Sequence, residues 1–263
     1  MVYDVLIRGG TLMPGDGEAF LSDMAVKQGK IVAIGSQLPP SQAAVVIDAT
    51  GQWVCPGFID LHAHSALEPF QRPELAPKVA QGFTTEVIHP DGLAPAPVQP
   101  DQRVNRQRYL LGLEGNGPAK WTWSSWEDFL RVLHATHPAT TLVPSAGHNA
   151  IRDFVMGSAN RKPSREEIAA MRRQISMAAE FGARMFSLGL IYLPGVYSDR
   201  EELIALGEEA ARWNVPLMPH IRNEAESVIE AVREMVEISR HTGPACRFPI
   251  SKSWETRIKS TRC

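Results

Sequence analysis

At 263 residues, with 44% apolar and 21% charged residues, the chain has an ordinary globular composition and is long enough for a sizeable core. A formal net charge of −2 gives no electrostatic ground for nucleic acid or an anionic membrane as partner, and no apolar run is long enough to span a bilayer. Cys55, Cys246 and Cys263 are scattered and odd in number, and "MVYDVLIRGG" lacks the basic region and apolar core of a secretory signal. A disulfide framework is therefore not expected, and the expected location is cytoplasmic.

Residues 1–56 read as short strands separated by turns. "YDVLIRGGTLM" carries β-rich apolar residues up to a Gly-Gly break, "DMAVKQGKIVAIG" predicts a hairpin turning at Gln28-Gly29, and "AAVVIDATGQWVCPG" adds a further apolar run. The pattern then changes. Strand-like runs at "GFIDLHAH", "TTEVIHP", "TTLVPSAGH", "ARMFSLGLI", "VPLMPHI" and "CRFPIS" are separated mostly by helical patterns. These are "SSWEDFLRVLHA", "SREEIAAMRRQISMAAEFG", "DREELIALGEEAARWN" and "NEAESVIEAVREMVEISRHTG". Ser164 and Ser198 each stand three residues ahead of a Glu, as in a capping box, and Gly182 and Gly243 occupy C-terminal cap positions.

Alternation of this kind predicts βα units on a parallel sheet, an α/β fold. Six strands without a second acidic turn-point motif favour an incomplete TIM-like (β/α) barrel, about six strands of eight, over a doubly wound sheet. The expected division is 1–56 as a small β-sandwich piece, 57–251 as the partial barrel and 252–263 as a tail. The long Pro/Gly-rich stretch "HPDGLAPAPVQPDQRVNRQRYLLGLEGNGPAKWTW" is of the type that is usually functional in a compact domain.

The strongest chemical motif is "PGFIDLHAHSA". His62 and His64 are two apart, so on a strand they project to one side, and with Asp60 just upstream they suit a divalent metal such as zinc. A lone His-x-His is common by chance; the apolar strand around it gives it weight. Asp91, beside His89, follows the second barrel strand. His148 follows the third, Tyr192 the fourth, and His220 lies at the fifth. Each has an ordinary alternative: a hydrogen-bonded loop histidine, a packed tyrosine, an Asp-Gly turn. Their recurrence at successive strand ends is the argument, because a barrel gathers those ends around one pocket. Arg222, two beyond His220, faces either the same pocket or a surface ion pair.

The opening "YDVLIRGGTLM…DMAVKQGKIVAIG…IDATGQWVCPGFIDLHAHS" resembles the start of the amidohydrolase superfamily. Within it, "PELAPKVAQGFTTEVI", "GHNAIRDFVMG", "FSLGLIYLPGVYSDREELIAL" and "HIRNEAESVIEAV" resemble the N-acyl-D-amino-acid deacylases, or D-aminoacylases. The resemblance runs from about residue 2 to Ser251. It implies a metal-dependent hydrolase of small N-acyl amino acids, zinc being the first choice of metal, on a TIM-like barrel with a β-sandwich assembled from both chain ends. It further implies that His62, His64 and His220 hold metal, and that His148 and Tyr192 line the substrate pocket.

The chain also departs from that pattern. Where the family commonly has a metal-ligand Cys in "GNCG", this chain has "HPDG", which puts Asp91 in its place. Where the family has a ligand His in "ISHLK", it reads "ISK". The family's catalytic Asp lies beyond this chain, so the catalytic residue is unknown. Residues 252–263 carry four basic residues, one acid and no apolar period. Back-translated with chosen third codon positions and read in the neighbouring frame from the last base of the Ile250 codon, Ser251–Cys263 give "LKVLGNPDQVHPL", which looks like the family's own continuation. A reading-frame shift at or just before Ser251 is the resulting expectation, with a natural short form and solvated tail as the alternative. A barrel cut after six strands would expose unpaired edges, so a poorly soluble or partner-dependent product is expected, and the missing strands, His and Asp lead to the expectation that it is impaired or inactive. The competing activity is cyclic-amide hydrolysis of the dihydroorotase or hydantoinase kind, which shares "DLHAH"; the competing non-enzyme reading is a dead fragment or metal-binding scaffold.

Overall fold

The structure, a computed structural model, describes residues 2–243 and 246. Most of the expected sixth strand "CRFPIS", the tail 252–263 and the proposed frame junction at Ser251 lie outside the described residues. The chain divides into two compact units after Phe58.

The first unit is a sheet of β1 (Tyr3–Leu12), β2 (Phe20–Lys27), β3 (Lys30–Gly35), β4 (Ala43–Asp48) and β5 (Trp53–Val54), in the order β3-β2-β1-β4 with β5 also on β1. β1 pairs antiparallel with β2 and parallel with β4 and β5. The β2–β3 hairpin turns at Gln28 and Gly29, as expected from the sequence. Both have positive φ, +49° and +71°, the conformation a tight two-residue turn requires. The buried Asp23 accepts the Gly9 N–H at 2.8 Å and the Leu38 N–H at 3.0 Å, fixing a bulge in β1 and the turn after β3. Leu6, Leu12 and Ala25 are buried, whereas Ile31, Ile34, Val45, Val46, Ile47 and Trp53 are exposed.

The second unit is a curled, parallel half-barrel sheet. Its strands β6 (Phe58–Ala63), β7 (Phe83–Ile88), β8 (Thr141–Gly147), β9 (Met185–Gly189) and β10 (Leu217–His220) neighbour one another in chain order. A single parallel bridge from Leu217 to Cys246 continues it. Helices α1 (Ala76–Val79), α2 (Arg103–Leu110), α3 (Trp126–His134), α4 (His148–Met156), α5 (Arg165–Glu180), α6 (Arg200–Arg212) and α7 (Val228–Thr242) fill the connections. Side-chain alternation separates two faces of the sheet. Ile88, Leu142, Phe186 and Leu217 join the large core with the helices, whereas Val87, Val143, Met185 and Met218 form a second cluster on the opposite face. Ala63 belongs to the helix-side core, so His62 and His64 project to the opposite face, as His220 does in step with Met218.

The capping box at Ser164 is present in full: Ser164 Oγ accepts the Glu167 N–H while Glu167 returns to the Ser164 N–H. At α6 the expected cap is displaced by one residue. Asp199 accepts the Glu202 N–H, and the Ser198 hydroxyl instead donates to the Gly195 carbonyl at 2.6 Å. Asp and Ser are comparable caps, and the Ser198 hydroxyl is already engaged with Gly195, which leaves the role to Asp199, whose charge also suits the helix N-terminus. Three helices, α1, α2 and α4, were not foreseen. The α4 start has no side-chain cap, which removes the usual sequence signal.

Candidate metal centre

Asp91 is the hub. It sits in the turn after β7 with φ +57°, and its carboxylate is almost wholly buried. His62 Nε2 lies 3.4 Å and His64 Nε2 3.0 Å from its Oδ2, and His220 Nδ1 lies 3.2 Å from its Oδ1. One ligand atom each from His62, His64 and Asp91 falls within 4.8 Å of the others. The Tyr192 hydroxyl reaches His220 Nδ1 at 3.5 Å, its ring edge-on to the imidazole with centroids 4.8 Å apart.

One partner was missed by the sequence reading. Glu114, fully buried, takes His64 Nδ1 at 2.7 Å and also accepts the Ala66 N–H at 3.2 Å. It comes from "GLEGNG" in the long Pro/Gly-rich segment, which is firmly packed: Leu93, Ala94, Ala96, Val98, Trp121 and Trp123 are all buried. A carboxylate on Nδ1 fixes the tautomer and aims Nε2 outward, the arrangement that accompanies metal-binding imidazoles.

The electrostatics follow from this crowding. Burial would raise Asp91, but hydrogen bonds from His220, His62 and His64 hold its carboxyl far below the usual carboxylate range. Burial would lower His64, yet its bonds to Asp91 and Glu114 raise it to about 9. His220 is raised chiefly by its bond to Asp91, against the cost of burial. Two imidazoles and a carboxylate converging on one point, one imidazole backed by a second carboxylate, fit a borderline divalent cation such as zinc.

The other sequence-expected residues are engaged elsewhere. Asp60 accepts the His62 N–H and pairs with Lys78. His148, the first residue of α4, is fully buried; its Nε2 meets Glu202 at 2.8 Å and its ring stands edge-on to Phe186. It contacts the protein interior rather than an open pocket. Arg222 forms a paired contact with Glu234 and donates to the Val196 and Ser198 carbonyls, so it ties the segment after Tyr192 to α7. The structure thus brings together His62, His64, Asp91, His220 and Tyr192, and adds Glu114.

The half-barrel of parallel strands gathers histidines and a carboxylate at its strand ends, and residues 45–212 match the amidohydrolase family. The chain belongs to that family. Among curated proteins it is 34% identical to the N-acyl-D-aspartate deacylase of Alcaligenes xylosoxydans xylosoxydans, over 94% of this chain and 49% of that protein. Among solved structures it is similar to the N-acyl-D-glutamate deacylase of Bordetella bronchiseptica complexed with zinc and a phosphonate mimic of the tetrahedral intermediate. That match has a TM-score of 0.83 and 31% identity, and covers 98% of this chain and 55% of that one. An L-hydantoinase from Arthrobacter aurescens shares the fold, with a TM-score of 0.56 and 16% identity over 94% of this chain and 52% of that one. The chain spans about half the length of the curated relatives it matches most extensively.

Proposed function

We propose that this chain carries the metal-binding part of a zinc-dependent hydrolase of the amide bond in N-acyl-D-amino acids. The observation that carries the reading is the convergence of His62, His64 and His220 on Asp91. In this reading 57–251 is part of a TIM-like barrel with about six of its eight strands, and 1–56 is the first part of a small β-sandwich. The exposed apolar residues of β4, Val45, Val46 and Ile47, support a sandwich partner for that sheet.

His62, His64, Asp91 and His220 would hold the metal. When bound, zinc polarises the amide carbonyl and brings the pKa of its water down to ~7. The chain's own groups hold the arrangement: Glu114 keeps the proton on His64 Nδ1, and Asp91 presents an ionised carboxylate to three imidazoles. Tyr192 offers a hydroxyl beside His220 for orienting substrate, while His148 and Arg222 act through the segments they anchor. The free thiols of Cys55 and Cys246 support a reducing, cytoplasmic location. Among the described residues no helix is long and apolar enough to cross a membrane.

The test is a panel of N-acetyl-D-amino acids, their L-enantiomers, hydantoins and dihydroorotate, assayed with and without chelator. Hydrolysis of the acyl-D-amino acids that chelator abolishes supports the reading. Turnover of the cyclic amides alone favours the second activity, and no turnover of any member would leave a metal-binding scaffold.

A further inference from the structure

Asp91 is carried by a turn that needs outside support. His89, Asp91 and Gly92 all have positive φ, +66°, +57° and +72°, and two of the three are not glycine. His and Asp tolerate this region better than most side chains, but each still carries a backbone cost that its surroundings must offset. The turn lies directly on the ends of the neighbouring strands: a Cβ at Gly189 would collide with the Asp91 carbonyl oxygen, and one at Gly147 would fall 2.7 Å from that of Gly92. Ser187 of β9 is fully buried on the same face as Met185. Its hydroxyl donates to the His89 carbonyl at 2.6 Å and accepts the Gly92 N–H at 3.2 Å.

We propose that Ser187 is a positioning residue for the metal centre: one hydroxyl closes both ends of the turn and thereby sets the Asp91 carboxylate against His62, His64 and His220. The proposal rests on the metal reading above. Among the described residues Ser187 makes no hydrogen bond to any of the three imidazoles, so it acts through the turn. Ser145 supplies a matched control. It is a fully buried serine on the adjacent strand β8, and its hydroxyl has no hydrogen-bond partner among the described residues.

The experiment measures zinc affinity of the whole 263-residue chain by competition with a chromophoric chelator, with the cobalt-substituted absorption spectrum as a report on ligand geometry. Ser187→Ala is expected to bind zinc about 10- to 100-fold more weakly and to alter the cobalt spectrum, while Ser145→Ala matches the parent. Parental affinity in Ser187→Ala, or an equal loss in Ser145→Ala, overturns the proposal. Should Ser187→Ala fail to fold, the near-isosteric pair Ser187→Thr and Ser187→Val makes the same comparison: at least about tenfold tighter binding by Thr supports it, and equal binding overturns it. A parent chain that takes up no zinc defeats the metal reading instead. Amide exchange at Gly92 in the metal-free chain then decides the clamp, faster exchange in Ser187→Ala alone supporting it and unchanged exchange overturning it.

Discussion

His64 Nδ1 lies 2.7 Å from Glu114 Oε1, across fifty residues of chain. The contact fixes which nitrogen of His64 faces Asp91, so the imidazole's partner in the interior governs its behaviour at the site. Glu114→Ala should weaken zinc binding about 10- to 100-fold, and Glu114→Gln, whose amide oxygen still accepts the Nδ1 proton, should lose much less. Chelator competition on the two variants checks this; equal losses would show that the charge, not the hydrogen bond, is what matters.

Two histidines give the metal-free chain opposite pH limbs. His64, raised in the folded state to about 9 from 6.5 by Asp91 and Glu114 against the cost of burial, contributes stability that is present below pH 6.5 and is lost as pH rises through about 9. His89, packed against Trp126 and Phe129, is pushed by burial down to about 3; its contribution is present above pH 6.5 and is lost as pH falls towards 3. Urea midpoints measured in chelator should therefore peak near pH 6.5. A midpoint that climbs steadily from pH 6.5 to 9 would contradict the His64 assignment.

Glu202 binds His148 and Arg152 where all three side chains are fully buried. Removing one member of such a set leaves the others uncompensated, so Glu202→Ala should cost about 3–5 kcal/mol of stability. Denaturant unfolding measures it, and a loss below 1 kcal/mol would mean that the interior relaxes around the pair.

Much of the architecture was legible because it is periodic. The strands and four of the helices announce themselves by spacing, and the Gln28-Gly29 turn by its residue types. His62 and His64 were readable as a pair because strand geometry alone puts them on one side. Glu114 was not: nothing local distinguishes an acid in a Gly-flanked turn, and its role exists only once the chain returns to His64. His148 reads as a strand-end residue, yet an uncapped helix begins there and Glu202, distant in sequence, captures the ring. The cap at Asp199 rather than Ser198 is the same lesson on a smaller scale, with two adequate residues side by side and tertiary contacts choosing between them.

The central claim is that Asp91 and the histidines around it hold a metal, and zinc affinity tests it most directly. The parent, Asp91→Asn, His220→Ala and His134→Ala are to be compared by equilibrium competition, Asn being chosen because it tolerates the left-handed backbone at position 91. The account predicts tight uptake by the parent, at least about tenfold weaker binding by Asp91→Asn and His220→Ala, and no change in His134→Ala, whose histidine lies at the exposed end of α3. Equal affinities across all four chains, or no uptake by the parent, would contradict it.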